Sequence, residues 1–239
     1  EKLATDRKEG KIIKCLIIRC FETKCLFAHV VPCKGLDEDK FVLNLVVDAV
    51  VWLGHAKLIL KSDGENSITK LVKKSLEEIK CQVEGIESVT SEESHPYDSQ
   101  SNGGTEVGIK IVRGVYRTLK LNLEERIGRE VPPSHPLLTW LVEHTAVVLN
   151  ACVRGNDGKT AWERARGRPF GMRIHEYGES VFWKQPLKGP QHDVKGNMGP
   201  RQYVGNFLGY NKTSNSYRIL TEDGEIIKAR ALTARPIQD

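Results

Sequence analysis

No apolar run in these 239 residues reaches the roughly 18–20 needed to cross a bilayer, so no membrane partner is expected. Glu1 to Lys11 is charged and lacks the apolar stretch of a signal peptide. The chain opens on Glu rather than Met, and the expectation is a fragment, or a piece cleaved from a longer polyprotein. The six cysteines (Cys15, Cys20, Cys25, Cys33, Cys81 and Cys152) include no C-x-x-C pair, and no two of the seven histidines have zinc-finger spacing, so a structural zinc site has no support. Cys15, Cys25 and Cys33 lie in or beside apolar runs, and the cysteines read as buried free thiols of a reducing compartment. Internal repeats are missing. Ser99 and Ser101 have no His–Asp support for a nucleophilic role, and His144, on an apolar helix, reads as a satisfied core histidine.

What is present is a basic tail. The net charge is +5. Between Thr160 and Asp239 there are 13 Lys+Arg against 8 Asp+Glu, so that stretch carries the whole excess and the rest is neutral. An anionic partner is the reading this favours.

The periodicity predicts a hairpin from Ile12 to Arg19 and Cys25 to Val31, then a helix from about Asp37 to Leu53 with apolar residues at helical spacing and Gly54 to close it. A short apolar, buried strand follows from Lys57 to Leu60, leading into Lys61-Ser62-Asp63, then a helix from Ser67 to Ile79 and a strand from Cys81 to Val89. Thr90 to Thr105, polar and Ser-rich with Gly103-Gly104, reads as a mobile loop. Helices are expected from Glu106 to Ile127, His135 to Cys152 and Thr160 to Arg166. From Gly178 the period becomes two, with short strands at Ser180–Lys184, Gln202–Leu208, Tyr217–Leu220 and Glu225–Ala231, a long loop from Lys184 to Gly199, and an Asp223-Gly224 turn; these suggest a small barrel.

Two carboxylates stand out. Asp63 ends a buried strand, where α/β proteins build their sites, and Glu106 opens a helix after a mobile loop. Taken singly, each also reads as a helix-terminal group, stabilised by capping or by the helix dipole. Glu106, Lys110, Arg113 and Arg117 are spaced by four, three and four, so they share one helix face, and that face is what a phosphodiester backbone would need beside a metal-binding carboxylate. An ordinary solvated face with a Glu–Lys pair is the competing account.

Pro96-Tyr97-Asp98-Ser99-Gln100-Ser101-Asn102-Gly103, with Glu106 three residues on, resembles the stretch before the last acidic residue of retroviral and retrotransposon integrases. Lys61-Ser62-Asp63-Gly64-Glu65-Asn66 resembles the strand carrying that family's second aspartate; Ala28-His29-Val30-Val31-Pro32 with Lys34-Gly35 resembles the segment after its first hairpin. Gly158-Lys159-Thr160-Ala161-Trp162-Glu163, with Gly167-Arg168-Pro169, is similar to the stretch beyond its catalytic core. Gly178 to Trp183, Gly205 to Tyr210 and Asp223 to Arg230 resemble strands of its carboxy-terminal barrel. The flavour is that of copia- or gypsy-like elements.

The resemblance implies an α/β fold, an RNase H-like mixed sheet flanked by helices over residues 1–170, followed by a small all-β SH3-like barrel over 171–239. It implies DNA strand transfer with two Mg²⁺ or Mn²⁺ ions held by acidic residues, Asp63 and Glu106 matching the second and third of them. It also implies DNA contacts from Gln100, Asn102, Lys110, Arg113, Arg117, Lys228, Arg230 and Arg235, a homo-oligomer, and action in the nucleus after synthesis in the cytoplasm. Trp183 and Tyr210 read as core or barrel rim rather than base-stacking residues. Asp63 and Glu106 are 43 positions apart, longer than is usual for the family, and the extra residues are assigned to a loop around Ser88 to Ser94. The family's first aspartate precedes the hairpin; the only aspartate there is Asp6, in a charged stretch unlike a buried strand, so the expectation is that this chain begins after that strand and lacks strand-transfer activity. A decayed or domesticated, non-catalytic nucleic-acid-binding protein is the alternative, and another RNase H-like nuclease a third.

Overall fold

A computed structural model describes residues 13–62, 64–93, 99–184, 200–211 and 214–235, with the backbone alone for 93 and 99–102. The hairpin β1 (Cys15–Arg19) and β2 (Leu26–Val30) is antiparallel, with Ile17 opposite Ala28. Helix α1 (Phe41–Leu53) follows; the Asp37 carboxylate accepts from the N–H groups of Phe41 and Val42 at 2.9 and 2.8 Å, satisfying two orphan donors of the first turn. Gly54, at φ 70°, ends it in the left-handed conformation that glycine adopts at no steric penalty. Strand β3 (Lys57–Ser62), helix α2 (Asn66–Gln82) and strand β4 (Ser88–Glu93) form a parallel crossover unit. The long helix α3 (Ser99–Ile127) leads to α4 (Leu137–Cys152) and the short α5 (Ala161–Arg166), which opens with a Thr160–Glu163 capping box. Five strands complete the chain: β5 (Ser180–Lys184), β6 (Gln202–Asn211), β7 (Ser216–Thr221), β8 (Ile226–Ala229) and β9 (Leu232–Ala234).

The chain is thus a mixed α/β protein, but the strands divide differently from expectation. Among the described residues β1–β2 and β3–β4 are two separate two-stranded sheets rather than one mixed sheet. Helix α1 underlies both. Val42, Leu43 and Val46 pack with Leu16 and Ile18 of β1, while Val47 and Val50 pack with Leu58, Leu60 and Val89. A helix apolar almost all round needs partners on two sides, and burying one such side chain contributes about 1.5–3 kcal/mol. Strand β3 is only half buried, not buried as expected: its residues alternate and Ile59 is 64% exposed.

The expected strand at Cys81–Val89 is instead the end of α2, and β4 starts at Ser88. The segment read as a loop after Thr90 contains the end of β4 and the start of α3. Consequently the residues assigned to an insertion around Ser88 to Ser94 are in β4 as far as Glu93, hydrogen-bonded to β3; Ser94 and Pro96 to Asp98 lie outside the described residues, as do Asp6 and Lys188 of the long loop.

The five C-terminal strands pair antiparallel in the order β8-β7-β6-β5-β9. A small SH3-like barrel was expected; among the described residues no pairing joins β8 to β9, so the five strands form an open sheet and no closed barrel. Its inner face is aromatic: Phe207, Tyr210 and Tyr217 pack with Val181, Ile219 and Ala229. Helix α4 is the common support. Its Val142, Ala146 and Leu149 pack on β2 and Val112 of α3; Leu138 and Leu141 pack on Leu123, Tyr177 and Leu208; and Val147 joins the aromatic cluster.

Candidate nucleic-acid interface

Helix α3 buries Val112 and Leu123, and this fixes which side looks outward. At 3.6 residues per turn, Glu106, Lys110, Arg113 and Arg117 fall within a wedge of roughly 60°, turned about 120° from the Val112 and Leu123 side. All four are exposed, and none makes an ion pair or side-chain hydrogen bond with another described residue. In particular Glu106 and Lys110 are not paired, so the Glu–Lys surface pair that competed with a phosphate-binding reading is not formed. Glu106 does not open the helix, as expected, but lies two turns inside it, because α3 starts at Ser99. Gly103 and Gly104, read as loop punctuation, are helical. An added Cβ at Gly104 would overlap the Phe21 ring, and one at Gly108 would lie 3.1 and 3.2 Å from side-chain carbons of Arg19 and Leu26. The glycines let α3 press onto the hairpin, and Arg19 donates to the Gly104 carbonyl.

Gln100 and Asn102 lie in the first turn of α3, with side chains outside the described residues. Asp63, between Ser62 at the end of β3 and Gly64, also lies outside them. Among the described residues no three His, Cys, Asp or Glu side chains converge on a metal position. Among the described residues the Glu106 carboxylate oxygens have no partner, and such oxygens are the hard donors that Mg²⁺ and Mn²⁺ prefer.

Segments distant in sequence meet nearby. Lys34 bonds Glu65 at 2.7 Å, joining the stretch after the hairpin to the stretch after β3. The Cys25 thiol donates to the Ala161 carbonyl at 3.3 Å, and Arg164 donates to Thr23. Of the three cysteines read as lying in apolar surroundings, only Cys25 is buried; Cys15 is exposed and Cys33 half-buried, since β1 is an edge strand among the described residues.

A cleft of about 640 Å³, which no sequence pattern signalled, lies between the hairpin turn, Ile111 of α3 and the end of α4. Arg19, Lys24, Arg154 and Arg164 line it, against the carboxylates of Glu22 and Asp157. Asp157 holds Arg164 through two bonds of 2.9 and 2.5 Å, which keep its carboxyl far below the usual range despite some desolvation. Lys24 and Arg19 have no carboxylate partner among the described residues, so the cleft retains positive potential. Its residues come from positions 19 to 164, and a one-dimensional pattern cannot report such a convergence.

In the C-terminal sheet Lys228, Arg230 and Arg235 are exposed. Lys228 is on β8 and Arg235 follows β9, the two ends of the strand order. Lys228 stands opposite Arg218, whose guanidinium turns inward to Glu143 and lies 3.9 Å over the Trp140 ring. Trp183 and Tyr210 pack in the core: Trp183 is partly buried and donates to Val204, while Tyr210 is buried and its hydroxyl bonds His175 N–H and the Arg173 carbonyl. His144 is buried as expected but not satisfied, since Nδ1 has no partner among the described residues.

No protein-family model matches the chain, and no curated protein matches it by sequence. Among solved structures it is similar to the catalytic core domain of BIV integrase, with 17% identity over 63% of this chain and 84% of that one, at a TM-score of 0.40. A likeness this distant assigns neither a fold family nor an activity. What the described residues define is a mixed α/β protein with a basic helix face unpaired among them, a positive cleft and an antiparallel C-terminal sheet that they leave open. No helix among the described residues is long and apolar enough to cross a membrane.

Proposed function

We propose that this chain is the integrase-like portion of a retrotransposon polyprotein that binds DNA and serves phosphodiester strand transfer in the nucleus. The observation that carries the reading is the exposed stripe of Lys110, Arg113 and Arg117, unpaired among the described residues, running from Glu106 along α3. Cations without carboxylate partners are free to replace the counterions of a DNA backbone. In this reading residues 1–170 form an RNase H-like core, and residues 171–239 an SH3-like module that holds flanking DNA through Lys228, Arg230 and Arg235.

Asp63 and Glu106 would hold Mg²⁺ or Mn²⁺, which when bound supplies activation of the attacking oxygen and charge stabilisation at the leaving one. Lys110, Arg113 and Arg117 bind phosphates and fix the register of the scissile bond; Gln100 and Asn102, one to two turns before Glu106, orient the strand entering the site. The attacking hydroxyl forms a new P–O bond while the opposite P–O bond breaks. No bond to the protein forms. Two DNA ends must be joined to one target, so the working species is an oligomer of this chain.

The test is duplex binding across a salt series, followed by DNA joining by the natural full-length protein. Lys110→Glu, Arg113→Glu and Arg117→Glu together should reduce the slope of log affinity against log salt by about 3, since each phosphate no longer neutralised removes about 0.9. An unchanged slope sinks the DNA-binding reading. Asp63→Asn and Glu106→Gln should abolish joining and leave binding intact; full-length protein that binds but never joins is the non-catalytic, domesticated form.

A further inference from the structure

The turn of the first hairpin brings together groups that the proposed function does not use. Cys20 follows β1 and Cys25 precedes β2. The Cys20 N–H donates to the Cys25 carbonyl at 2.9 Å, one step beyond the Arg19–Leu26 pair. Opposed residues of an antiparallel ladder project to the same face, and both cysteines pack in one cluster with Phe27, Ala49, Trp52 and Ala161. Opposed, hydrogen-bonded residues have Cα atoms about 5.5 Å apart, inside the roughly 4.4–6.8 Å range of disulfides.

The two thiols differ. Cys25 is fully buried, its pKa is raised by that burial, and its thiol is bonded to the Ala161 carbonyl. Cys20 is half-buried and lies 3.4 Å from His55 Nε2. Gly54 ends α1 and returns the chain so that His55 comes over the turn. The other ring nitrogen, Nδ1, is 3.7 Å from the Glu22 carboxylate, and the Thr23 N–H donates to Cys20 Sγ at 3.5 Å. A base within reach of the thiol, a carboxylate beside that base and a backbone N–H on the sulfur are the arrangement that lets a thiol give up its proton as it attacks. Among the described residues no other cysteine has an imidazole at hydrogen-bond distance: Cys15, Cys81 and Cys152 are exposed, and Cys33 meets only backbone carbonyls.

We propose that Cys20 is a nucleophilic thiol that reacts with small disulfides, and that Cys25 resolves the product into a reversible Cys20–Cys25 disulfide across the hairpin turn. His55 takes the Cys20 proton. The thiolate attacks one sulfur of the small disulfide, that S–S bond breaks, and the departing thiolate takes the proton from His55. Cys25 then attacks the Cys20 sulfur, expels the second small thiolate and passes its own proton to it. Two protein thiols are oxidised and one small disulfide is reduced to two thiols.

The test exposes the reduced full chain to oxidised glutathione, quenches with an alkylating agent at set times and follows each cysteine by peptide mass spectrometry. Modification at Cys20, as adduct or as Cys20–Cys25 cross-link, should proceed about tenfold or more faster than at Cys81 or Cys152, the gain expected from a positioned base. In His55→Gln, with its circular dichroism unchanged, Cys20 should fall to the rate of the exposed cysteines. In Cys25→Ala the cross-link should be replaced by a lasting Cys20–glutathione adduct. Cys20 reacting no faster than Cys81 in the unaltered chain overturns the proposal, as does an unchanged rate in His55→Gln. A persistent adduct with no cross-link in the unaltered chain overturns the resolving role of Cys25.

Discussion

The Glu143 carboxylate accepts a hydrogen bond from Arg218 Nη1 at 3.1 Å, and through its other oxygen it meets His29 Nδ1 at 3.2 Å. One side chain on α4 therefore ties the N-terminal hairpin to the C-terminal sheet. The three groups flank a cavity of about 150 Å³ that His144 and Tyr210 also line. Burial opposes ionisation of Glu143, but the His29 bond and the Arg218 charge outweigh it and hold the carboxyl below its usual range.

Removing that bridge leaves a partly buried guanidinium without its carboxylate. Glu143→Gln should destabilise the chain by about 1–3 kcal/mol, less than for a fully buried pair because both partners retain some solvent. Urea unfolding of Glu143→Gln, Arg218→Gln and the double variant checks it: the double variant should lose clearly less than the sum of the two single losses.

Asn150 is buried at the other end of α4. Its amide accepts from the Leu26 N–H at 2.9 Å and donates to the Leu26 carbonyl at 2.7 Å, taking the outward-facing groups of β2 as a further strand would. Asn150→Leu leaves both backbone groups buried without partners, and a loss of about 2–4 kcal/mol is expected. Hydrogen exchange at the Leu26 amide should accelerate in step; protection equal to the wild-type chain would refute this role.

Gly205 lies within β6 where a Cβ would stand 2.5 Å from Ile219 Cγ2 and 2.9 Å from the Leu220 carbonyl oxygen. Ile219 can shift a little, but the backbone oxygen cannot without breaking the ladder. Gly205→Ala should lower stability by about 1–3 kcal/mol, whereas Gly114→Ala, on exposed α3 with nothing near, should raise it slightly through helix propensity. Thermal melts of the two variants should move in opposite directions.

His144 gives the pH dependence a sign. Burial lowers its pKa from 6.5 to about 4, so the folded chain holds it neutral where the unfolded chain protonates it. Above the unfolded value its contribution is fully present; it is lost progressively as pH falls from 6.5 towards about 4. The full loss is on the order of 3 kcal/mol. His144→Leu should flatten the stability profile in that window. A slope as steep as that of the unaltered chain would assign the acid sensitivity to other groups.

The helices with strong apolar periodicity were legible in the sequence: Phe41–Leu53, Asn66–Gln82 and Leu137–Cys152 each start or end within a few residues of expectation. Strand β4 was not. Its residues, Ser-Val-Thr-Ser-Glu-Glu, offer one buried side chain among those described, Val89, and the strand exists through pairing with β3 and the support of α1. The first turns of α3 were hidden by Gly103 and Gly104, residues of low helix propensity; at Gly104 the missing side chain admits the Phe21 ring of the hairpin turn, while nothing lies near Gly103. The open ends of the C-terminal sheet were equally invisible, because alternation reports which residues face the core and not whether the last strand meets the first.

By itself the sequence determined the strongly periodic helices, the basic tail and the shared face of Glu106, Lys110, Arg113 and Arg117, because such periodicities are local properties of the backbone. Only the tertiary structure decided that this face is unpaired among the described residues, that Asn150 serves as the edge partner of β2, that Glu143 joins hairpin to sheet, and that His55 reaches Cys20. Each of those relations depends on packing between segments tens of residues apart. It is set by which apolar faces α1 and α4 must bury, a condition that no single segment carries.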